Sequence, residues 1–237
     1  AKMRGRRVLA SLALVLARAV CVACTCKKGS GMSPELAISE GADAYEQGRA
    51  QESIECFRYA RDHKGASPTV VSVALTNIAA VQEQEGDLQG ALLSLERSAE
   101  VNPSDAEALV IWGKLLCKNG QHEEGLRKYR EAIAMEPKAA KFYSSIGTEY
   151  QKMSKRGEAI DAYRQAVALD PKMLLARVQL IVALSSGFSA DACKECAKHT
   201  EAVLKIGGVS GEHAMLIGDV MLSCSRLPLA RKALVLA

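Results

Sequence analysis

Residues 98–103 read SAEVNP, residues 132–137 read AIAMEP and residues 166–171 read AVALDP. Their prolines, Pro103, Pro137 and Pro171, stand 34 residues apart. A fixed period of that length marks an architecture of stacked repeats. Each phrase is a run of helix formers closed by a residue that lacks an N–H and cannot continue a helix. Outward from these phrases the match continues: Gly113, Tyr129, Ala132 and Pro137 recur one period later as Gly147, Tyr163, Ala166 and Pro171.

The pattern has a packing logic. Small residues let two helices approach: Ala79 against Ala91, Gly113 against Gly125, and Gly147 against Ala159. Large residues, Ile78, Trp112, Ile146 and Leu180, fill the space between neighbouring periods. Gly86 and Gly120 suit a tight turn inside the pair. A helix pair has an apolar face it cannot bury alone, so the units must stack.

This arrangement resembles the tetratricopeptide-repeat family, whose unit is a helix-turn-helix of this length. The resemblance implies an all-α, right-handed superhelical solenoid of about six units. We place them at about 34–68, 72–103, 106–137, 140–171, 174–208 and 211–237. Around Pro68 the first unit closes. The fifth is degenerate, with SSGFSADACKEC where a Gly turn is expected. The sixth matches at Gly218, Ala230, Leu234 and Ala237 without a closing Pro or polar capping helix, so self-association through it is a further expectation.

Composition agrees with helices. Hydrophobic residues make up 49% of the chain but aromatics only 4%, too few for a β-sandwich or barrel. The formal charge of +4 is uneven. Residues 1–33 hold seven basic residues and no acid, which leaves −3 on the remainder. The body therefore lacks the basic footprint of nucleic-acid binding.

The basic leader, 1–23, reads as an export signal or N-terminal anchor. Lys2, Arg4, Arg6 and Arg7 precede the apolar run VLASLALVLA, residues 8–17, a charged region followed by an apolar one. The run is too short to span a bilayer by itself, and Met3 reads as the start. Ala17-Arg18-Ala19 fits an ordinary signal peptidase. Cys21-Val22-Ala23-Cys24 resembles a bacterial lipobox, with Cys21 where Leu is usual, which makes Cys24 the candidate lipidation site. Residues 24–33 then read as a polar tether. A cleaved secretory protein, an uncleaved anchor and a cytosolic protein are the alternatives.

In the family, helix A lines the concave side of the solenoid. The resemblance places Glu107, Val110, Lys114, Cys117 and Lys118 there, then Lys141, Ser144, Thr148, Gln151 and Lys152. More apolar flanks follow at Ile38, Ala42 and Tyr45, and at Leu175, Val178 and Val182. A groove with a basic centre (Lys114, Lys118, Lys141, Lys152) and apolar ends suits a peptide carrying acidic and apolar anchors. The bland alternative is ordinary solvated lysines. The carboxylate clamp of co-chaperone repeats is not met: Thr76, Asn77 and Ala80, then Val110, Ile111 and Lys114, supply only Asn77.

Cys193, Cys196 and His199 share one helix face. They read as small core residues, with a redox-formed bridge or a metal site as alternatives. Cys56, Cys117 and Cys224 read as packing residues, and unpaired thiols sit uneasily with export. No nucleophile–base pair, phosphate loop or metal motif stands out, so neither an enzyme nor a cofactor is expected. The function expected is a non-catalytic scaffold, membrane-tethered in a bacterial envelope and supporting a secretion, pilus or transport complex. The alternative is an intracellular co-chaperone or import-receptor-like protein with an uncleaved anchor.

Overall fold

The computed structural model describes Cys26 and residues 31–185, 187 and 189–235. The leader, 1–23, and Cys24 lie outside the described residues. The chain divides into two compact units, 1–120 and 121–237. All regular structure among the described residues is helical.

The first unit holds α1 (Pro34–Glu46), α2 (Ala50–Asp62), α3 (Pro68–Gln84), α4 (Leu88–Val101) and α5 (Ala106–Lys118). The second holds α6 (His122–Met135), α7 (Ala140–Lys152), α8 (Arg156–Leu169), α9 (Leu174–Ser185), α10 (Ala190–Ile206), α11 (Gly211–Ser223) and α12 (Leu227–Leu234). Each helix packs on the next within its unit.

Local chemistry sets the boundaries. Ser33, Ser67, Asp87, Asp105 and Ser189 each cap a helix by accepting from a backbone N–H three residues on, which satisfies a donor the helix cannot use. Pro68, expected to close the first unit, instead opens α3. The first helical turn needs no donor there, so proline is well placed. Gly86 and Gly120 take φ of 84° and 83° in the turns. Ser154 fills the equivalent place at 58°, at some cost for a residue with a Cβ.

In three pairs the two helices meet through a residue without a side chain. A Cβ on Gly147 would lie 2.8 Å from the Tyr163 ring, one on Gly41 2.6 Å from the Phe57 ring and one on Gly218 2.6 Å from Leu234. The nearest neighbour of Gly147 is thus the Tyr163 ring rather than the expected Ala159. Tyr163 is fully buried, and its hydroxyl donates to Gln151 Oε1 at 3.0 Å.

The degenerate fifth pair ends α9 by another device. Arg156, at the start of α8, donates from Nε to the Ala183 carbonyl at 2.8 Å and from Nη2 to Leu184 at 2.9 Å. A guanidinium on the last carbonyls satisfies acceptors and suits the helix dipole. Its fork lies against Gly187, where a Cβ would come within 2.4 Å.

Cysteine chemistry corrects the sequence reading. Cys56 and Cys224 are not simple packing residues: disulfides join Cys26 to Cys56 and Cys193 to Cys224. Cys26, in the stretch read as a free tether, is thereby fixed to α2. Tyr59 adds a hydrogen bond to the Met32 carbonyl at 2.9 Å. Cys193 pairs with a residue 31 positions away rather than with Cys196. Cys117 and Cys196 are buried thiols.

The Gly147–Tyr163 contact gives a test. Gly147→Leu is expected to cost about 1–3 kcal/mol or more, because the ring has no free space to yield. Chemical denaturation checks it, and a variant as stable as the wild type contradicts this contact.

Candidate functional site

Three of the four lysines expected in the groove, Lys114, Lys118 and Lys152, carry their own counter-charges. In the first unit, Lys114 and Lys118 extend from α5, both about half exposed, and meet one carboxylate at the end of α3. Lys118 Nζ donates to Glu83 Oε1 at 3.0 Å and Lys114 Nζ to Oε2 at 3.3 Å. Burial would raise the Glu83 carboxyl, but the hydrogen bonds and charges of Lys118 and Lys114 outweigh it and hold the group below its usual range. Two cations on one anion leave a single net positive charge. Val110 on the same helix is half-buried, Glu107 is exposed, and Cys117 is buried.

In the second unit, Lys141 at the start of α7 is exposed, with its ammonium 5.4 Å from the Phe142 ring centroid. Lys152 donates to Glu149 Oε1 at 2.8 Å. Glu149 is only 4% exposed, so Lys152 is the counter-ion of a buried charge as well as a surface group. Thr148 is half-buried; its hydroxyl donates to the Ser144 carbonyl at 3.1 Å and lies 3.3 Å from the Tyr163 hydroxyl, whose one proton goes to Gln151. Ser144 and Val178 are 5% and 1% exposed. They offer no surface to a partner, and these two expectations are corrected. Both face the packed interior of the repeats instead.

Sequence reasoning missed Glu83 and Glu149. A signal existed for Glu83: residues about one period apart come from successive repeats, as Glu83–Lys114, Arg164–Glu195 and Cys193–Cys224 do, each 31 apart. The same offset locates the disulfide. Glu149 carried no such signal, since its burial depends on the surrounding helices.

The Cys193, Cys196 and His199 face resolves into separate roles. Cys196 is fully buried and its thiol donates toward the Ile181 carbonyl at 3.6 Å. Burial pushes that thiol up to about 11, so it is a poor nucleophile. His199 is 8% exposed. Arg177 Nη1 lies 3.0 Å from its Nδ1. A guanidinium only donates, so Nδ1 must accept and the ring must be neutral. Its Nε2 faces Glu195 at 3.9 Å, and Glu195 is itself gripped by Arg164 through two bonds of 2.8 and 2.9 Å. Burial first, then the charge of Arg177, lowers the His199 pKa; Glu195 opposes this, while Lys198 and Arg164 add to it. Among the described residues no group of three or more His, Cys, Asp or Glu is placed to hold a metal ion.

The depressed His199 pKa fixes a sign. The unfolded chain takes up the proton first, so stability falls as pH drops below the ordinary value of 6.5 and the loss is complete below the folded value. Thermal melts between about pH 7.5 and 5 are expected to show this in the wild type and less in His199→Gln, whose amide still accepts from Arg177. Equal slopes would assign the acid sensitivity elsewhere.

Tetratricopeptide-repeat family models match residues 76–140 and 140–173. A CTR9 homolog of Arabidopsis thaliana is 33% identical over 67 residues, 28% of this chain and 6% of that protein. Mouse interferon-induced protein with tetratricopeptide repeats 3 is 27% identical over 124 residues, 48% of this chain and 30% of that protein. The chain thus spans less than a third of the length of either. Among solved structures, Pseudomonas aeruginosa PilF superposes with a TM-score of 0.69 at 15% identity, covering 84% of this chain and 88% of that one. PilW, a widely conserved type IV pilus biogenesis factor, gives 0.68 at 14% identity, covering 84% and 90%. At these identities the likeness shows the fold alone.

Proposed function

We propose that this chain, which belongs to the tetratricopeptide-repeat proteins, is a non-catalytic scaffold exported to a bacterial envelope and tethered to its membrane at Cys24. There it holds a protein or peptide partner and supports a pilus, secretion or transport complex. The observation that carries the reading is the pair of disulfides, Cys26–Cys56 and Cys193–Cys224. Such bridges persist in oxidising compartments and are rare in the cytosol. With four cysteines bridged and Cys117 and Cys196 buried, the conflict between export and free thiols disappears. The fold shared with PilF and PilW, the latter a pilus biogenesis factor, supports the same direction. No helix among the described residues is long and apolar enough to cross a membrane, so in this reading attachment falls to the N-terminal segment.

The partner surface in this reading is polar and only weakly basic. Each unit offers its own such residues: Val110, Lys114 and Lys118 on the first, and Lys141, Thr148 and Lys152 on the second. The partner is a protein segment and not nucleic acid, since the body of the chain carries net negative charge. An intracellular co-chaperone is disfavoured by the disulfides.

Two measurements test the proposal. Mass spectrometry of the mature protein is expected to find a lipidated Cys24 at the N-terminus, with Cys24→Ser losing fatty-acid labelling and membrane attachment. An intact Met3 with four more reactive thiols would sink the envelope reading. For the surface, Lys114→Gln, Lys118→Gln and Lys141→Gln together are expected to weaken partner capture and leave melting within about 1 kcal/mol of wild type, because neutral replacements set no like charge beside Glu83 and exposed charges affect encounter more than stability. Lys152 is left intact because its reversal would strand Glu149. Full capture by the triple variant would remove these lysines from the binding surface.

A further inference from the structure

The N-terminal segment is pinned to α2 at its very start. Cys26 is joined to Cys56 with the Cα atoms 4.9 Å apart, and only Thr25 stands between Cys26 and Cys24 in the sequence. Two residues span at most about 7 Å. The backbone at Cys56 is therefore within about 12 Å of the backbone at Cys24, whatever path the chain takes between them. Among the described residues, the next hold on the segment is the Tyr59 hydroxyl, which donates to the Met32 carbonyl. Met32 stands eight residues after Cys24, a leash of up to about 28 Å. The disulfide thus shortens the reach of residue 24 about fourfold.

Around the bridge α2 presents a charged surface to solvent. Arg58, Asp62, His63 and Lys64 border an open hollow beside Cys26. Asp62 is held by Arg61, whose Nε and Nη2 donate to its two oxygens at 2.7 and 3.0 Å. His63 Nδ1 accepts from the Gly65 N–H at 3.1 Å. The exposed Arg58 and Lys64 are then set against one exposed carboxylate at the hollow, Glu55. Lys27 and Lys28, the two residues after Cys26 in the sequence, carry the same sign. A surplus of cations beside a membrane attachment point suits the phosphates of a bilayer.

We propose that the Cys26–Cys56 bridge seats the first unit on the phospholipid headgroups of the membrane, with Arg58 and Lys64 on lipid phosphates. The proposal rests on the acylation of Cys24 and adds to it the face of the protein that meets the bilayer. Acyl chains on Cys24 fix that residue at the headgroup level. The short leash keeps α2 at the same level, where a free polar tether would let the unit stand off in water. Lys114 and Lys118 belong to α5, so the membrane contact and the partner surface use different helices.

The chain purified with its lipid, in vesicles of phosphatidylcholine and phosphatidylglycerol that carry a headgroup nitroxide, tests the proposal. Trp112 is the sole tryptophan, and Glu55→Trp adds an indole beside Cys26. The added fluorescence is expected to be strongly quenched. Inserting roughly six Gly and Ser residues after Thr25 keeps the bridge and lengthens the leash to about 28 Å. Quenching is then expected to fall about twofold or more. Cys26→Ser with Cys56→Ser is expected to give the same loss with fatty-acid labelling unchanged. In the lengthened chain the remaining quenching is expected to fall as salt is added, and Arg58→Gln with Lys64→Gln to weaken that salt dependence. An indole that escapes quenching in the bridged, acylated chain overturns the proposal. So does equal quenching on the short and the long leash, or a salt dependence that the two glutamines leave unchanged. If circular dichroism shows that the double serine variant has unfolded, the lengthened chain decides. Mass spectrometry separates the premises: a Cys24 without lipid defeats the membrane reading and the proposal with it, whereas a lipidated Cys24 with a free Cys26 thiol defeats the proposal alone.

Discussion

The close approach of paired helices, clearest at three glycines, is the constraint on which the rest depends. Gly41, Gly147 and Gly218 leave room for Phe57, Tyr163 and Leu234, and each contact is nearer than a Cβ permits. With the helices drawn together, α2 can present Phe57 to Ile78 and Val81 of α3. Burial of those side chains supplies the stacking free energy. Dense packing of this kind tolerates little change in volume, which is why the same offset of 16 residues recurs in pair after pair.

Polar groups reinforce the apolar scheme at defined joints. In the first unit, Ser72 donates to Asp105 Oδ2 at 2.9 Å and shares a 2.8 Å bond with Ser98, while Asp105 Oδ1 caps α5. One carboxylate therefore serves a cap and a buried network, and its two oxygens are both satisfied. In the second unit, Arg156 closes α9 and Arg164 ties α8 to α10 through Glu195. These charged joints lie where the repeat pattern is weakest, around the fifth pair.

The disulfides change the chemical meaning of the chain more than its shape. Each joins residues about 30 positions apart, which limits the unfolded ensemble in the chain-entropy account. They also sort the cysteines into two classes, bridged and buried, with no reactive thiol among the six described. The paired lysines make a similar point about electrostatics. A count of basic residues overstates the positive field where Glu83 and Glu149 stand beside them.

The sequence by itself determined the repeat and the helical class. The reason is that these depend on local chemistry and on periodic size: prolines 34 apart, glycines at turns, and small residues at fixed offsets. It also located Lys114, Lys118, Lys141 and Lys152 as surface groups. Only the tertiary structure decided what those groups touch. Glu83 comes from the previous repeat, and Ser144 and Val178 lose their surface to neighbouring helices. Cys193 passes over Cys196, which lies on its own helix, and reaches Cys224 in the turn after α11. A helical wheel records the direction in which a side chain leaves its own axis, but burial and pairing depend on what a neighbouring axis places in its path.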